Sequence, residues 1–159
     1  MKKKQKLIDL YNELKKKYNL PNFEDLDKIF EIHYISEELR YPLREIRRII
    51  YKKLKYVCRL IEKTLYTPDS NIIDLYDSSS FSKKELEDLF KILRKIALLI
   101  REEEYLEIKG SEEKEDAEWI NKAYKVWKEI EKDIKEFISK KVEYWKKEKK
   151  FKSIKEYVG

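Results

Sequence analysis

Arginine is concentrated in one short stretch of this sequence. The stretch YPLREIRRIIYKKLKYVCRLIEK covers residues 41–63, and five of the seven arginines in the chain lie between Arg40 and Arg59. A guanidinium group presents a planar fork of donors that matches a carboxylate or a phosphate. The chemistry that these residues suggest is therefore the binding of an anion.

A helical projection separates the apolar and basic side chains of this stretch. At about 100° per residue, one side carries an apolar arc. Its members are Ile46, Ile50, Leu54, Val57, Ile61 and Leu65. The opposite side, called here the basic face, consists of Arg44, Arg48, Lys52, Lys55, Arg59 and Lys63. Residues 36–66 hold nine basic and four acidic residues, which is +5 of the net +6 of the chain. The sequence predicts that the basic face binds a polyanion.

The sequence does not decide between several classes of partner for the basic face. RNA or DNA would place phosphates on the cations and stack bases on nearby tyrosines such as Tyr51 and Tyr56. An acidic protein surface is a further alternative. Another alternative is a solvated face, paired with acidic stretches of the same chain such as REEEYLE at 101–107. Our leading expectation is a non-enzymatic module that docks RNA or a ribonucleoprotein surface. The competing expectation is a structural protein–protein interaction module. A homodimer that forms through the long C-terminal helix is one form it could take.

Periodic apolar residues predict the helices that surround this stretch. A first helix is expected near residues 4–18 and a short second one over about 23–32. The arginine-rich helix is expected to start after Ser36 and to end near Tyr66, with Pro42 either kinking it or occupying its first turn. Residues 67–81 read as one ordered loop that the apolar residues of NIIDLY pin to the core.

The C-terminal half carries the strongest local signals. Ser82 and Glu85 form a capping box, and Phe81 and Leu86 occupy the positions of a hydrophobic staple. This helix is expected to end at Gly110. A final helix, capped by Ser111, is expected to reach about Lys149. Along it runs an apolar heptad seam that only Lys141 interrupts. The seam comprises Ile120, Ala123, Trp127, Ile130, Ile134, Phe137, Lys141 and Tyr144.

The composition fits a helical protein. Charged residues make up 44% and apolar residues 42%, with two glycines and three prolines, which is typical of amphipathic helices. We predict an all-α fold, an antiparallel helical bundle of about four long helices plus one short N-terminal helix. Residues 1–159 are predicted to form a single domain with a basic tail at about 146–159. The scarcity of glutamine is typical of thermophilic proteins, although an AT-rich genome would also enrich lysine and isoleucine.

Several kinds of site are not expected. The chain has one cysteine, Cys58, and one histidine, His33, so the usual zinc sites are not predicted. Asp69, Asp74 and Asp77 could gather a hard cation, but turns and caps are the simpler reading. No cofactor, metal or catalytic residue is predicted. No apolar run suits a signal peptide or a membrane span, and a cytoplasmic location is expected.

Two resemblances add to this reading. The stretches LPNFEDLDKIFEI, YPLREIRRIIYKKL, YTPDSNIIDLYDSSSFSKKELEDLFKILRKI and EDAEWINKAYKVWKEI resemble an uncharacterised family of small all-helical archaeal proteins over roughly residues 20–130. That resemblance implies an archaeal cytoplasmic protein of one domain and carries over no catalytic residues. The arginine-rich stretch also resembles, in passing, the first long helix of chorismate-mutase-type bundle enzymes, whose basic residues bind a dianion. The remaining pocket residues of those enzymes cannot be placed in this sequence.

Overall fold

The fold is all-helical in the part of the chain that the structure describes. The computed structural model describes residues 2–35, 40–66 and 71–147, with the backbone alone for residues 2–6. The helices are α1 (Lys2–Tyr18), α2 (Phe23–Phe30), α3 (Pro42–Leu65), α4 (Ile72–Ser78), α5 (Lys83–Lys109) and α6 (Glu113–Lys146). A 3₁₀ turn, Ile32–Tyr34, follows α2, and these ranges contain no β-strand. None of the helices within these ranges combines the length and the apolarity that crossing a bilayer requires.

Helix α3 lies at the centre of the packing. It begins at Pro42, so this proline occupies the first turn and does not kink the helix. The missing amide hydrogen of proline is harmless at that position. The apolar arc of α3 is buried except for the half-buried Leu65, with Ile50 and Leu54 fully inaccessible to solvent, and it packs against α5 and α6. Ser36, the expected cap, lies outside the described residues.

Helices α3 and α5 lie side by side, and the start of each contacts the end of the other. Near the start of α3, Arg48 pairs with Glu107 of the last part of α5. Near the end of α3, Tyr66 lines the same groove as Leu86 and Phe90 of the first part of α5. The side of α3 between these two contacts therefore runs along the full length of α5.

The heptad seam of α6 packs against other helices of the same molecule. Its apolar residues from Ile120 to Phe137 are buried. Trp127 packs edge-on against Phe30 of α2, with ring centroids 5.6 Å apart. Lys141, the polar residue of the seam, pairs with Asp77 of α4 at 3.3 Å. A homodimer through this seam would have to separate α6 from its own core.

Helix α4 lies inside the segment that the sequence predicts as a loop, so that prediction is wrong for residues 72–78. The side chain of Asn71 caps it by accepting hydrogen bonds from the amides of Ile73 and Asp74. Leu75 faces the core, whereas Ile72 and Ile73 are exposed and do not pin the segment. Residues 67–70 lie outside the described residues.

The two ends of α5 follow the sequence signals closely. The capping box of Ser82 and Glu85 is present, and the Lys140 ammonium of α6 lowers the pKa of Glu85 to about 2, together with Ser82. Gly110 follows the last residue of α5 with a positive φ of 77°, which favours glycine. Ser111 does not cap α6, because Glu112 holds that position. The hydroxyl of Ser111 instead donates to Asp116 at 2.6 Å.

Candidate functional site

One arginine near the start of α3, Arg47, lies in the interior of the molecule. Arg47 is completely buried. Its guanidinium donates from Nε to Asp116 at 2.8 Å, and from Nη1 to the Glu103 carboxylate at 2.6 Å and to the Glu103 carbonyl at 3.3 Å. Nη2 donates to Glu107 at 2.9 Å and to Ser111 Oγ at 3.4 Å. All five N–H donors of the group thus have acceptors.

Arg44 and Arg48 of the basic face are also engaged by this chain. Arg44 donates to the carbonyl of Ser111 and stacks over the Tyr41 ring, with 4.8 Å between guanidinium carbon and ring centroid. Arg48 donates to Glu45 at 2.6 Å and to both carboxylate oxygens of Glu107. These three arginines and their carboxylates form what we call the arginine cluster, which joins α3, α5 and α6.

The electrostatics of the arginine cluster are those of a structural site. Burial raises the pKa of Glu103, although Arg47 opposes that shift. The hydrogen bond from Arg48 holds the pKa of Glu107 below its usual range. Because all five donors of Arg47 already have acceptors, this guanidinium has none left for an external anion. Among the described residues, Arg44 by contrast makes one hydrogen bond, and its buried Nε has no hydrogen-bond partner. The structure therefore explains much of the arginine concentration without a ligand.

Arg47 is the residue of this cluster that sequence reasoning missed. Projected at about 100° per residue, it falls at the same angle as Leu65, inside the apolar arc. An arginine at such an angle must be buried with acceptors or disrupt the packing. The projection therefore contained the signal, but its partners Glu103 and Asp116 are 56 and 69 residues away along the chain.

The rest of the basic face is different. Lys52 and Arg59 are exposed, and Lys55 is half-buried, with its ammonium 3.0 Å from the Tyr51 hydroxyl. Within the described ranges, no carboxylate oxygen lies within 4 Å of the charged nitrogens of these three residues. Between Glu45 and Glu62 this helix contains no acidic residue at all. The α6 lysines contrast with them, since pairs such as Lys135–Glu131 at 2.7 Å are frequent there.

Helix α5 adds a fourth cation to this surface. Arg94 is exposed and, among the described residues, it too has no carboxylate within 4 Å. The contacts at the two ends of α3 put Arg59 and Arg94 at about the same level along the two neighbouring helices. We call Lys52, Lys55, Arg59 and Arg94 the cation row. Like charges on neighbouring turns repel one another, and a bound anion would relieve that repulsion.

The last member of the basic face, Lys63, is weakly engaged. Its ammonium lies 3.9 Å from Asp74 of α4. Asp77 accepts a hydrogen bond from the Trp145 indole at 2.6 Å, and Asp69 lies outside the described residues. The contacts of Asp74 and Asp77 are thus with basic or donor groups of the chain, and the described residues hold no group of three or more potential metal ligands.

Cys58 lies beside the cation row but faces the core. It is 8% exposed, and burial, together with Glu62, raises the pKa of its thiol to about 11. The adjacent cations therefore do not activate it. Relative to the ordinary pKa of 9.0, the thiolate fraction of Cys58 at about pH 8 is lowered about 100-fold.

We expect Ellman's reagent to modify Cys58 in the folded protein about 100-fold more slowly than in the guanidinium-unfolded protein. Equal rates would contradict this assignment.

His33 has a local structural role. Its backbone amide and its Nδ1 both contact the Asp27 carboxylate, at 2.8 and 2.6 Å. The ring also packs against Tyr34, with 4.1 Å between centroids. These contacts hold the 3₁₀ turn against the end of α2.

Comparison with known proteins adds no assignment to this geometry. No protein-family model, no curated protein and no solved structure matches the chain.

Proposed function

We propose that this protein is a non-enzymatic binding module that docks RNA on the face formed by α3 and α5. One observation carries the proposal. Three members of the cation row are exposed and Lys55 is half-buried, and among the described residues no carboxylate oxygen lies within 4 Å of the charged nitrogens of any of the four. Phosphate groups are the complementary partners for such a row.

We infer further that the described helices form an antiparallel bundle and that this arrangement creates the binding face. The end-to-start contacts of α3 with α5 support it. Because the two helices lie side by side, cations from both of them contribute to one surface. Near the start of α3, Arg47 of the arginine cluster joins this helix to α5 and α6.

The proposal predicts binding that depends on the cation row. We expect Lys52→Glu combined with Arg59→Glu to weaken the binding of a fluorescein-labelled single-stranded RNA of about 12 nucleotides at least 10-fold. Between about 50 and 200 mM salt, the slope of log K against log salt should become shallower by about 1.4, because two phosphate contacts are lost. Fluorescence anisotropy measures both quantities. Arg48 is left unchanged, because it is bound to Glu45 and Glu107.

A matched control separates this surface from overall charge. Lys16→Glu combined with Lys125→Glu makes the same change in net charge at two exposed lysines that have no carboxylate within 4 Å in the described ranges. This control should retain wild-type affinity. Equal losses in both double variants, or no RNA binding by the wild-type chain at low salt, would overturn the proposal.

A second candidate function rests on exposed apolar side chains. Tyr105 and Ile108 of α5 are 65% and 88% exposed, and isolated apolar groups of this kind become significant when they cluster. Ile72 and Ile73 of α4 are also exposed. These residues favour a protein partner as the alternative to RNA. Light scattering coupled to gel filtration would support this candidate if it detected self-association that Ile108→Lys abolishes.

A further inference from the structure

A groove on the described surface lies at one end of the cation row. It has a volume of about 930 Å³ and runs between the end of α3 and the start of α5. Its walls are mainly apolar, and its rim includes the charged side chains of Lys63, Lys83, Glu62 and Glu87. A concave apolar site with a few polar groups is the usual form of a small-ligand site.

Two aromatic rings in the walls of this groove are exposed. Tyr66 is 74% exposed and Phe90 is 53% exposed. Phe90 belongs neither to the buried core nor to the side chains packed against it, so about half of its aromatic surface is accessible to a ligand. Such rings serve as platforms for the bases of single-stranded nucleic acids, because every base has a π-face.

The cation row leads directly into this groove. On α3, Arg59 lies one turn before Lys63 at the rim, and on α5, Arg94 lies one turn after Phe90 in the wall. The path from Lys52 to Tyr66 is about 21 Å long at 1.5 Å per residue, which is room for a few nucleotides. Phosphates placed on the row would therefore bring the adjoining base to the aromatic rings.

We propose that this groove receives an unpaired base and that the ligand of the cation row is single-stranded RNA. The inference rests on the proposed function, and it adds the strand class and the base-binding position. Phe90 and Tyr66 stack on the base, while Lys63 and Lys83 contact the flanking phosphates. The carboxylates of Glu62 and Glu87 can accept hydrogen bonds from exocyclic amino groups of the base. A closed duplex leaves the groove empty, because its bases are stacked on one another.

The test compares one labelled RNA strand of about 12 nucleotides, alone and annealed to its complement, by fluorescence anisotropy with the full chain. We expect the single strand to bind at least 10-fold more tightly than the duplex. Phe90→Ala should weaken single-strand binding about 10-fold, as the loss of one stacked base predicts. It should leave duplex affinity and the salt slope unchanged, and Phe90→Trp should restore binding. Leu98→Ala, two turns further along α5 and equally exposed, is the matched control.

The possible failures are distinguishable. Equal affinity for single strand and duplex, or unchanged single-strand affinity in Phe90→Ala, would overturn this inference while the cation row still binds RNA. Binding of neither RNA would overturn the proposed function as well. Self-association of the wild-type chain that Phe90→Ala abolishes, without RNA binding, would assign the groove to a protein partner and overturn both.

Discussion

Arg47→Met is expected to lower the free energy of unfolding by about 3–5 kcal/mol. The substitution removes the positive charge that faces Glu103 and Asp116, whose side chains are only 4% and 3% exposed. A buried carboxylate without its partner is strongly destabilising, since water cannot reach it. Denaturant unfolding followed by circular dichroism measures the change.

The matched control for this prediction is Arg59→Met, in the same helix. Arg59 is exposed and, in the described part of the chain, pairs with no carboxylate, so its substitution should change stability little. A triple variant with Arg47→Met, Glu103→Met and Asp116→Asn removes all three buried charges. It should recover most of the lost stability, because well-packed neutral groups often replace a buried ionic group without loss. An Arg47→Met protein as stable as the Arg59→Met protein would contradict the structural role of the cluster.

Leu54→Ala is expected to lower the free energy of unfolding by about 2–5 kcal/mol. Leu54 lies midway along α3 and is 0% exposed, so its removal leaves a cavity that the surrounding helices fill only partly. Leucine and alanine both favour helix, and the loss therefore reports packing. Denaturant unfolding gives the change as a lower midpoint with an unchanged slope.

Leu98→Ala serves as the reference for the Leu54 substitution. Leu98 lies midway along α5 and is 54% exposed, so the same chemical change removes little buried surface. We expect a change in stability of less than about 0.5 kcal/mol. Similar losses in the two variants would show that Leu54 is not in the packed core.

The sequence was most informative where structure depends on neighbouring residues. The capping box of Ser82 and Glu85 and the glycine after α5 act within a few positions of each other, and both are confirmed. The apolar arc of α3, which the projection separated from the basic face, is buried except for Leu65. Helix α4 was missed because its asparagine, aspartates and serines are typical of loops. Tertiary contacts hold it, such as that of Asp77 with Trp145.

The candidate site was harder to predict because it depends on distant partners. Arg44 and Arg48 look as free in the sequence as Lys52 and Arg59. The sequence offered the acidic stretch 101–107 as a partner for the basic face as a whole. The folded chain shows that Glu107 of that stretch engages Arg48, and that the Ser111 carbonyl engages Arg44. The contribution of Arg94 to the cation row likewise follows from the pairing of α3 with α5. The charge pattern along one helix identifies its basic face. Which residues of that face have carboxylate partners on other helices depends on the tertiary structure.

The arginine cluster has a consequence for how the protein unfolds. The guanidinium of Arg47 satisfies groups on α5, on α6 and in the connection between them. If α5 or α6 detached alone, the Arg47 guanidinium would lose one of its carboxylate partners, while the remaining helices would still keep it from solvent. We infer that partly opened forms lacking α5 or α6 are disfavoured, so that these helices and α3 are lost together in a single cooperative transition.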